Sequence, residues 1–333
     1  ANHHQRFKNI GAPAFIAEHG HAPETLEEIE EALFNATGYR MWSAANRAVQ
    51  EMLWLSVGEP IYKDIERMEQ SAAELVDSSD KKGELALSPA AMSSHEVAAV
   101  DIHLQPGGYA LNRNDKDIAA GALYEMGGNV FSFSVGGRKD DSKAAAVVQL
   151  IQNEFPEFRP DTILDIGCSA GASSVGYASH YPDAVVHAID IGAGMLRYAH
   201  ARAEALDVPV KFHQMDAASL SFEDESFDLM VSNNLLHEMG DEKRRLMMAE
   251  CYRTLRPGGL LLFQDINTRF INDPIVQADI AWERLFNGEE FWESFGSADL
   301  IAELSKVGFA AENIKETEIA AVAGALRWYI IMA

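Results

Sequence analysis

Thr162-Ile163-Leu164-Asp165-Ile166-Gly167-Cys168-Ser169-Ala170-Gly171 is an apolar run that ends in an acid and passes into a glycine-containing turn. The β-branched and aliphatic residues predict a strand over 162–166, and the small residues that follow predict a helix near 171–180. Glycine at such a turn lets a ligand approach the backbone closely, and the helix N-terminus behind it offers unpaired N–H groups. A nicotinamide enzyme is expected to carry Gly-x-Gly-x-x-Gly here, with pyrophosphate on the turn. This turn is Gly-x-x-x-Gly with Ser169 in the middle. Asp165, just before it, is a poor neighbour for pyrophosphate and a good acceptor for an ammonium or a bridging water. A dinucleotide is therefore not the expected ligand.

The same pattern recurs downstream. Val185-Val186-His187-Ala188-Ile189-Asp190 is a second apolar strand ending in an acid, where doubly wound sheets place a carboxylate against ribose hydroxyls. Asp216 follows a third strand at 210–213, positioned to accept from an adenine amino group while the N–H of Ala217 donates. Strands at 227–232 and 260–264, with helices near 193–206 and 241–255, continue the alternation that marks an α/β domain with a mainly parallel sheet. A helix at about 298–307 and two runs at 310–319 and 326–332 close the chain, the runs near enough in sequence to pair as a hairpin. Upstream, helices are expected from about Pro23, with apolar Leu26, Ile29 and Leu33, then over 41–57 and 60–76, separated by Gly58-Glu59-Pro60. The second carries Trp42, Ala45, Val49, Met52 and Leu53 as its apolar face. Ile61, Ile65, Met68, Ala72 and Leu75 form a narrow stripe on the third that suits a seam within the chain or a dimer contact. Residues 77–116 read as loop-rich, and 143–154 as a short amphipathic helix.

The 333 residues include 51 acids and 27 Lys or Arg, a formal charge of −24, so neither phosphate polymers nor anionic membranes are expected partners. Two cysteines, Cys168 and Cys251, indicate no disulfide framework. With no apolar leader in Ala1 to Lys8 and no run of about 18 apolar residues, a cytoplasmic location is expected. No His/Cys/Asp cluster has metal-ligand spacing, so no metal is assigned.

Over about 140–333 these residues resemble the class I S-adenosylmethionine-dependent methyltransferase superfamily. The resemblance rests on the Ile163–Gly171 loop, Asp190 with Met195-Leu196, Met215-Asp216-Ala217, Ser226-Phe227-Asp228-Leu229-Met230-Val231-Ser232-Asn233, and Leu255-Arg256-Pro257-Gly258-Gly259-Leu260, in that order. It implies a Rossmann-like seven-stranded sheet of order 3-2-1-4-5-7-6 over 141–333; the mainly helical region read over 1–140 is expected to cap the substrate or support a homodimer. It also implies S-adenosylmethionine as cofactor and S-adenosylhomocysteine as product. The implied cofactor residues are Asp165, Gly167, Cys168, Ser169, Gly171, Asp190, Ile191, Met195, Asp216, Ala217 and Asn233, with Tyr124 and Arg138 reaching the methionine carboxylate.

His237, in Asn234-Leu235-Leu236-His237-Glu238-Met239-Gly240-Asp241-Glu242, is similar in position to the base of plant-type small-molecule O-methyltransferases, though Glu238, Met239 and Gly240 depart from their His-Asp-Trp-x-Asp-Glu segment. A capping or packing role for His237 is the alternative. An aromatic-rich insertion at 265–299, with Phe270, Trp282, Phe286, Phe291, Trp292 and Phe295, is expected to form a lid or pocket wall, or else ordinary core. Of these, Trp282, Phe286, Phe291 and Trp292, together with Tyr109 in the Gln105-Pro106-Gly107-Gly108-Tyr109 loop after His103, are the candidate substrate contacts. The expected activity is methyl transfer to a small molecule, first to oxygen with His237 as base. Nitrogen, sulfur or carbon acceptors with catalysis by positioning are the alternative. From other classes, a Rossmann-like oxidoreductase or a catalytically silent cofactor-binding protein remain.

Overall fold

The computed structural model describes residues 2–88, 100–131, 142–268, 273–320 and 327–333. Arg138 and Phe270 lie outside the described residues. The strands are β1 (Glu84–Ala86), β2 (Thr162–Ile166), β3 (Val185–Asp190), β4 (Lys211–Gln214), β5 (Phe227–Asn233), β6 (Leu255–Ile266), β7 (Lys315–Ala320) and β8 (Arg327–Met332). They form one eight-stranded sheet in the order β1-β4-β3-β2-β5-β6-β8-β7. All pairs are parallel except those made by β8, which runs antiparallel to β6 and β7. The expected seven-stranded sheet is thus corrected. β1 comes from the region read as loop, and it extends the sheet beyond β4, so the order differs from the expected one by this added edge strand. The amides of Lys82 and Gly83 donate to the Glu204 carboxylate beside it and tie down its entry.

The central strands are buried on both faces, as their near-continuous apolar runs require. Because side chains alternate along a strand, Ile163, Val186 and Leu229 enter one core with Val147, Val175 and Leu196, while Leu164, Ile166 and Met230 enter the other with Met247, Phe295 and Tyr329. The chain crosses from one side of β2 to the other between β3 and β5. This leaves a crevice over the carboxyl ends of β2, β3 and β5, the place where such sheets bind ligands.

The N-terminal region is helical, and its boundaries differ from expectation. Helices α1 (Asn2–Arg6) and α2 (Ala12–His19) precede α3 (Leu26–Phe34), whose start is a capping box of Thr25 and Glu28. The two helices expected on either side of Pro60 are one, α4 (Thr37–Val76). Proline removes a single backbone bond, and burial of Trp54, Val57, Ile61 and Ile65 against α5 (Ala119–Phe131) holds the helix through that site. On the first half of α4 the expected face is not buried, since Val49 and Met52 point to solvent, each 64% exposed, whereas Ile61 and Ile65 of the expected stripe pack within the chain. Helix α5 sits against α8 (Ala193–Ala205) so closely that a Cβ on Gly121 would lie 2.3 Å from the Tyr198 Cβ. The remaining helices are α6 (Ser142–Glu154), α7 (Ala172–His180), α9 (Asp241–Thr254), α10 (Pro274–Asn287), α11 (Trp292–Ser297) and α12 (Leu300–Val307).

Candidate active site

The turn after β2 uses left-handed backbone at Gly167, Ser169 and Gly171, with φ of 71°, 48° and 75°. The amides of Gly167 and Cys168 donate to the carbonyl of Ile189 at 2.9 Å each, locking the turn to the end of β3. Asp190, at that end, accepts from the amide of Ser169 at 2.9 Å and from that of Gly192 at 2.8 Å. Burial pushes its carboxyl above the ordinary value, and these amides only partly offset that.

A cavity of about 260 Å³ opens beside this turn. One wall is Gly167, Ser169, Asp190, Ile191, Met215, Asp216 and Ala217; the rest includes His103, Tyr109, Tyr124, Asn234, His237, Glu238, Met239, Ile266, Trp292 and Trp328. Ten of the expected site residues thus share one cavity: Gly167, Ser169, Asp190, Ile191, Asp216, Ala217, Tyr124, Tyr109, His237 and Trp292. The others stand elsewhere. Asp165 is buried and accepts from the Ser174 hydroxyl at 2.6 Å; Cys168 and Met195 are core, and Gly171 begins α7. The Asn233 side chain donates to Tyr177 at 3.1 Å, and its neighbour Asn234 lines the cavity instead. Trp282 faces the N-terminal helices, donating to Ser43 at 2.9 Å and stacking on Phe286. Phe291 caps α11 rather than lining the cavity.

His237 is 3% exposed. Its Nδ1 meets Asp265 Oδ1 at 2.5 Å, and its Nε2 lies 3.5 Å from Glu238 Oε1. Asp265 is held in turn by the amides of Leu236 and Ile266, at 2.8 and 2.7 Å. Burial lowers the affinity of the imidazole for a proton, but the Asp265 charge and hydrogen bond, with Glu238, outweigh it and hold His237 well above the usual histidine value.

The fold adds a group that spacing in the chain could not reveal. His103 Nδ1 lies 2.5 Å from Glu289 Oε1, and its Nε2 lies 3.8 Å from Glu238 Oε1. Tyr109 donates to the same Glu238 oxygen at 3.1 Å. These residues come from three segments far apart in the chain. The local signals are the His103 to Tyr109 loop and Glu238 beside His237, and nothing in their spacing joins them to Glu289.

Residues 163–259 match the family described as Methyltransferase domain. That match places a methyltransferase domain within residues 163–259. Over 125 residues it is 35% identical to a Trans-aconitate 2-methyltransferase of Deinococcus radiodurans, covering 37% of this chain and 45% of that protein. Over 114 residues it is 34% identical to Phosphoethanolamine N-methyltransferase 2 of Caenorhabditis elegans, covering 34% of this chain and 25% of that protein. The solved Haemonchus contortus Phosphoethanolamine N-methyltransferase 2, in complex with S-adenosyl-L-methionine, aligns at 20% identity and a TM-score of 0.40, over 52% of this chain and 38% of that one. The chain thus spans less than half the length of these curated relatives.

The cavity of this methyltransferase domain is acidic. Asp190, Asp216 and Glu238 line it, and among the described residues no Lys or Arg does. Lys243 pairs with Asp216 from α9, outside the lining. No described helix is long and apolar enough to cross a membrane.

Proposed function

We propose that the protein transfers the methyl group of S-adenosylmethionine to a small-molecule acceptor, with oxygen as the accepting atom and His237 as general base. One observation carries this reading: the cavity that meets the β2 turn and Asp190 is walled by carboxylates and, among the described residues, by no Lys or Arg. Such a wall repels a pyrophosphate and favours a sulfonium. The donor set fits the cofactor as well, since Asp190 retains lone pairs for ribose hydroxyls and Ala217 stands beside Asp216. When bound, the cofactor supplies an already activated methyl group. What remains for the chain is to align the acceptor and exclude water. The aromatic and apolar wall of Tyr109, Tyr124, Met239, Ile266, Trp292 and Trp328 supports that role. Residues 1–140 supply His103, Tyr109 and Tyr124 to this wall, in keeping with a capping region.

Asp265 fixes Nδ1 of His237, so Nε2 is the atom offered to an acceptor hydroxyl, and the same carboxylate stabilises the imidazolium formed when the proton arrives. The raised affinity of His237 for a proton favours a second reading. In it the imidazolium donates a hydrogen bond from Nε2, and transfer to nitrogen, sulfur or carbon proceeds by positioning. His237→Gln separates the two, because glutamine retains a donor and loses the base.

The cofactor reading is tested by calorimetry and thermal shift with S-adenosylhomocysteine and with NADH. The expected result is binding and a raised Tm with the former alone. Stabilisation by the dinucleotide alone would favour an oxidoreductase. Formation of S-adenosylhomocysteine in a screen of acceptors distinguishes an enzyme from a silent binding protein. Both cysteines are free thiols, which supports the reducing, cytoplasmic address. Met41, Val49, Met52 and Leu55, 64–70% exposed and within about 120° of one another around α4, support a homodimer through that helix.

A further inference from the structure

We propose that His103, Glu238 and Glu289 bind one divalent cation of the zinc or manganese class in the acceptor-side wall of the cavity. One ligand atom from each lies within 4.8 Å of the other two. At ligand distances of about 2.0–2.2 Å, three ligands spread evenly about one ion stand about 3.4–3.8 Å apart, so closing the set draws these atoms together by up to about 1 Å. One imidazole and two carboxylates suit a first-row divalent ion. Three protein ligands leave coordination open for water or an acceptor oxygen, and His103 and Glu238 both line the cavity.

The second observation is the state of Glu289. It is 1% exposed, and its Oε2 has no hydrogen-bond partner. A carboxylate so placed is costly unless a cation meets it. His103 answers only Oε1, and Glu238, at 6% exposure, adds a second buried acid with no Lys or Arg among the described lining residues.

His103 is also held for the purpose. It and Leu104 adopt left-handed backbone, with φ of 54° and 58°, a conformation that costs non-glycine residues about 1 kcal/mol or more each. The Trp54 indole and the Gln50 amide of α4 donate to the His103 carbonyl, at 2.7 and 3.0 Å, and keep it there.

The site's place beside the acceptor rests on the methyltransferase reading; cation binding does not, and it is measured without cofactor. The full chain, stripped with chelator, is titrated with Zn²⁺ and Mn²⁺ by calorimetry, and Co²⁺ is followed by its visible absorption. The expected result is one equivalent bound, with affinity reduced at least about tenfold in Glu289→Gln and in His103→Gln. Circular dichroism and an unchanged Tm of the metal-free chain verify that both variants are folded. A double variant, His19→Gln with His21→Gln, removes the histidine pair near Glu28 and Glu31 and is expected to leave the equivalent in place. No stoichiometric binding to the parent chain, binding unchanged in both site variants, or loss in the His19/His21 variant would overturn the proposal. Cation binding with no S-adenosylhomocysteine binding would uphold the site and sink the cofactor reading alone.

Discussion

The Nδ1–H of His237 donates to Asp265 Oδ1 at 2.5 Å, joining two buried residues that stand 28 apart in the chain. Asp265 ends β6 on the same edge as the cofactor turn, and backbone amides leave its carboxylate one orientation. Replacing it by asparagine keeps the shape and removes the charge that orients and stabilises the imidazolium. Turnover of Asp265→Asn is expected to fall about 10²–10⁴-fold with S-adenosylhomocysteine affinity nearly unchanged. Loss of cofactor affinity with intact turnover at saturation would remove the dyad from the chemistry.

Asp190 is the counterpart on the cofactor side. Hydrogen bonds to a charged group contribute about 1.5–3 kcal/mol, so Asp190→Asn is expected to weaken S-adenosylhomocysteine about 10–100-fold in calorimetry. An unaltered Kd would place the ribose elsewhere.

Two stacked histidines on adjacent strands should make stability depend on pH. His187 Nδ1 lies 3.0 Å from His213 Nε2, and burial first, then the neighbouring His213 and Lys211 charges, push His187 down to about 4. The folded value lies below the ordinary one, so the unfolded chain binds the extra proton between them. The contribution is complete above about pH 6.5 and is lost as pH falls from there toward about 4. With partial exposure discounted, it amounts to about 1–2 kcal/mol. Urea midpoints at pH 7 and 4.5 should diverge less in His187→Gln; an equal divergence would assign the effect to other groups.

Gly121 sets how closely α5 approaches α8. A methyl group there meets Tyr198 at 2.3 Å, well inside contact distance. Gly121→Ala is expected to destabilise by about 1–3 kcal/mol, read as a lower Tm, although alanine is the better helix former. A raised Tm would show that the two helices separate without cost.

Light scattering tests the proposed homodimer. Met52→Glu, on the exposed face of α4, should shift the mass from two chains to one while S-adenosylhomocysteine still binds. A parent chain that scatters as a single copy would end that reading.

The β2 turn and the end of β3 were legible because their signals are local. The acid at the end of β3 and the glycines of the β2 turn follow directly from strands whose apolar runs need both faces covered. The helix runs unbroken through Pro60, because a proline's local cost is visible in sequence and the packing of Trp54 and Ile61 that outweighs it is not. Trp282 and Phe286 carry the composition of a pocket wall, yet Trp282 turns to the N-terminal helices and Phe286 stacks on it. The sequence by itself thus determined the α/β sheet, its glycine turn after β2 and the acid that ends β3, since periodicity and turn chemistry are properties of neighbouring residues. Only the tertiary structure decided that His237 meets Asp265, that β1 joins the sheet, and that His103, Glu238 and Glu289 converge, because each is a contact between segments whose separation in the chain carries no record of their distance in space.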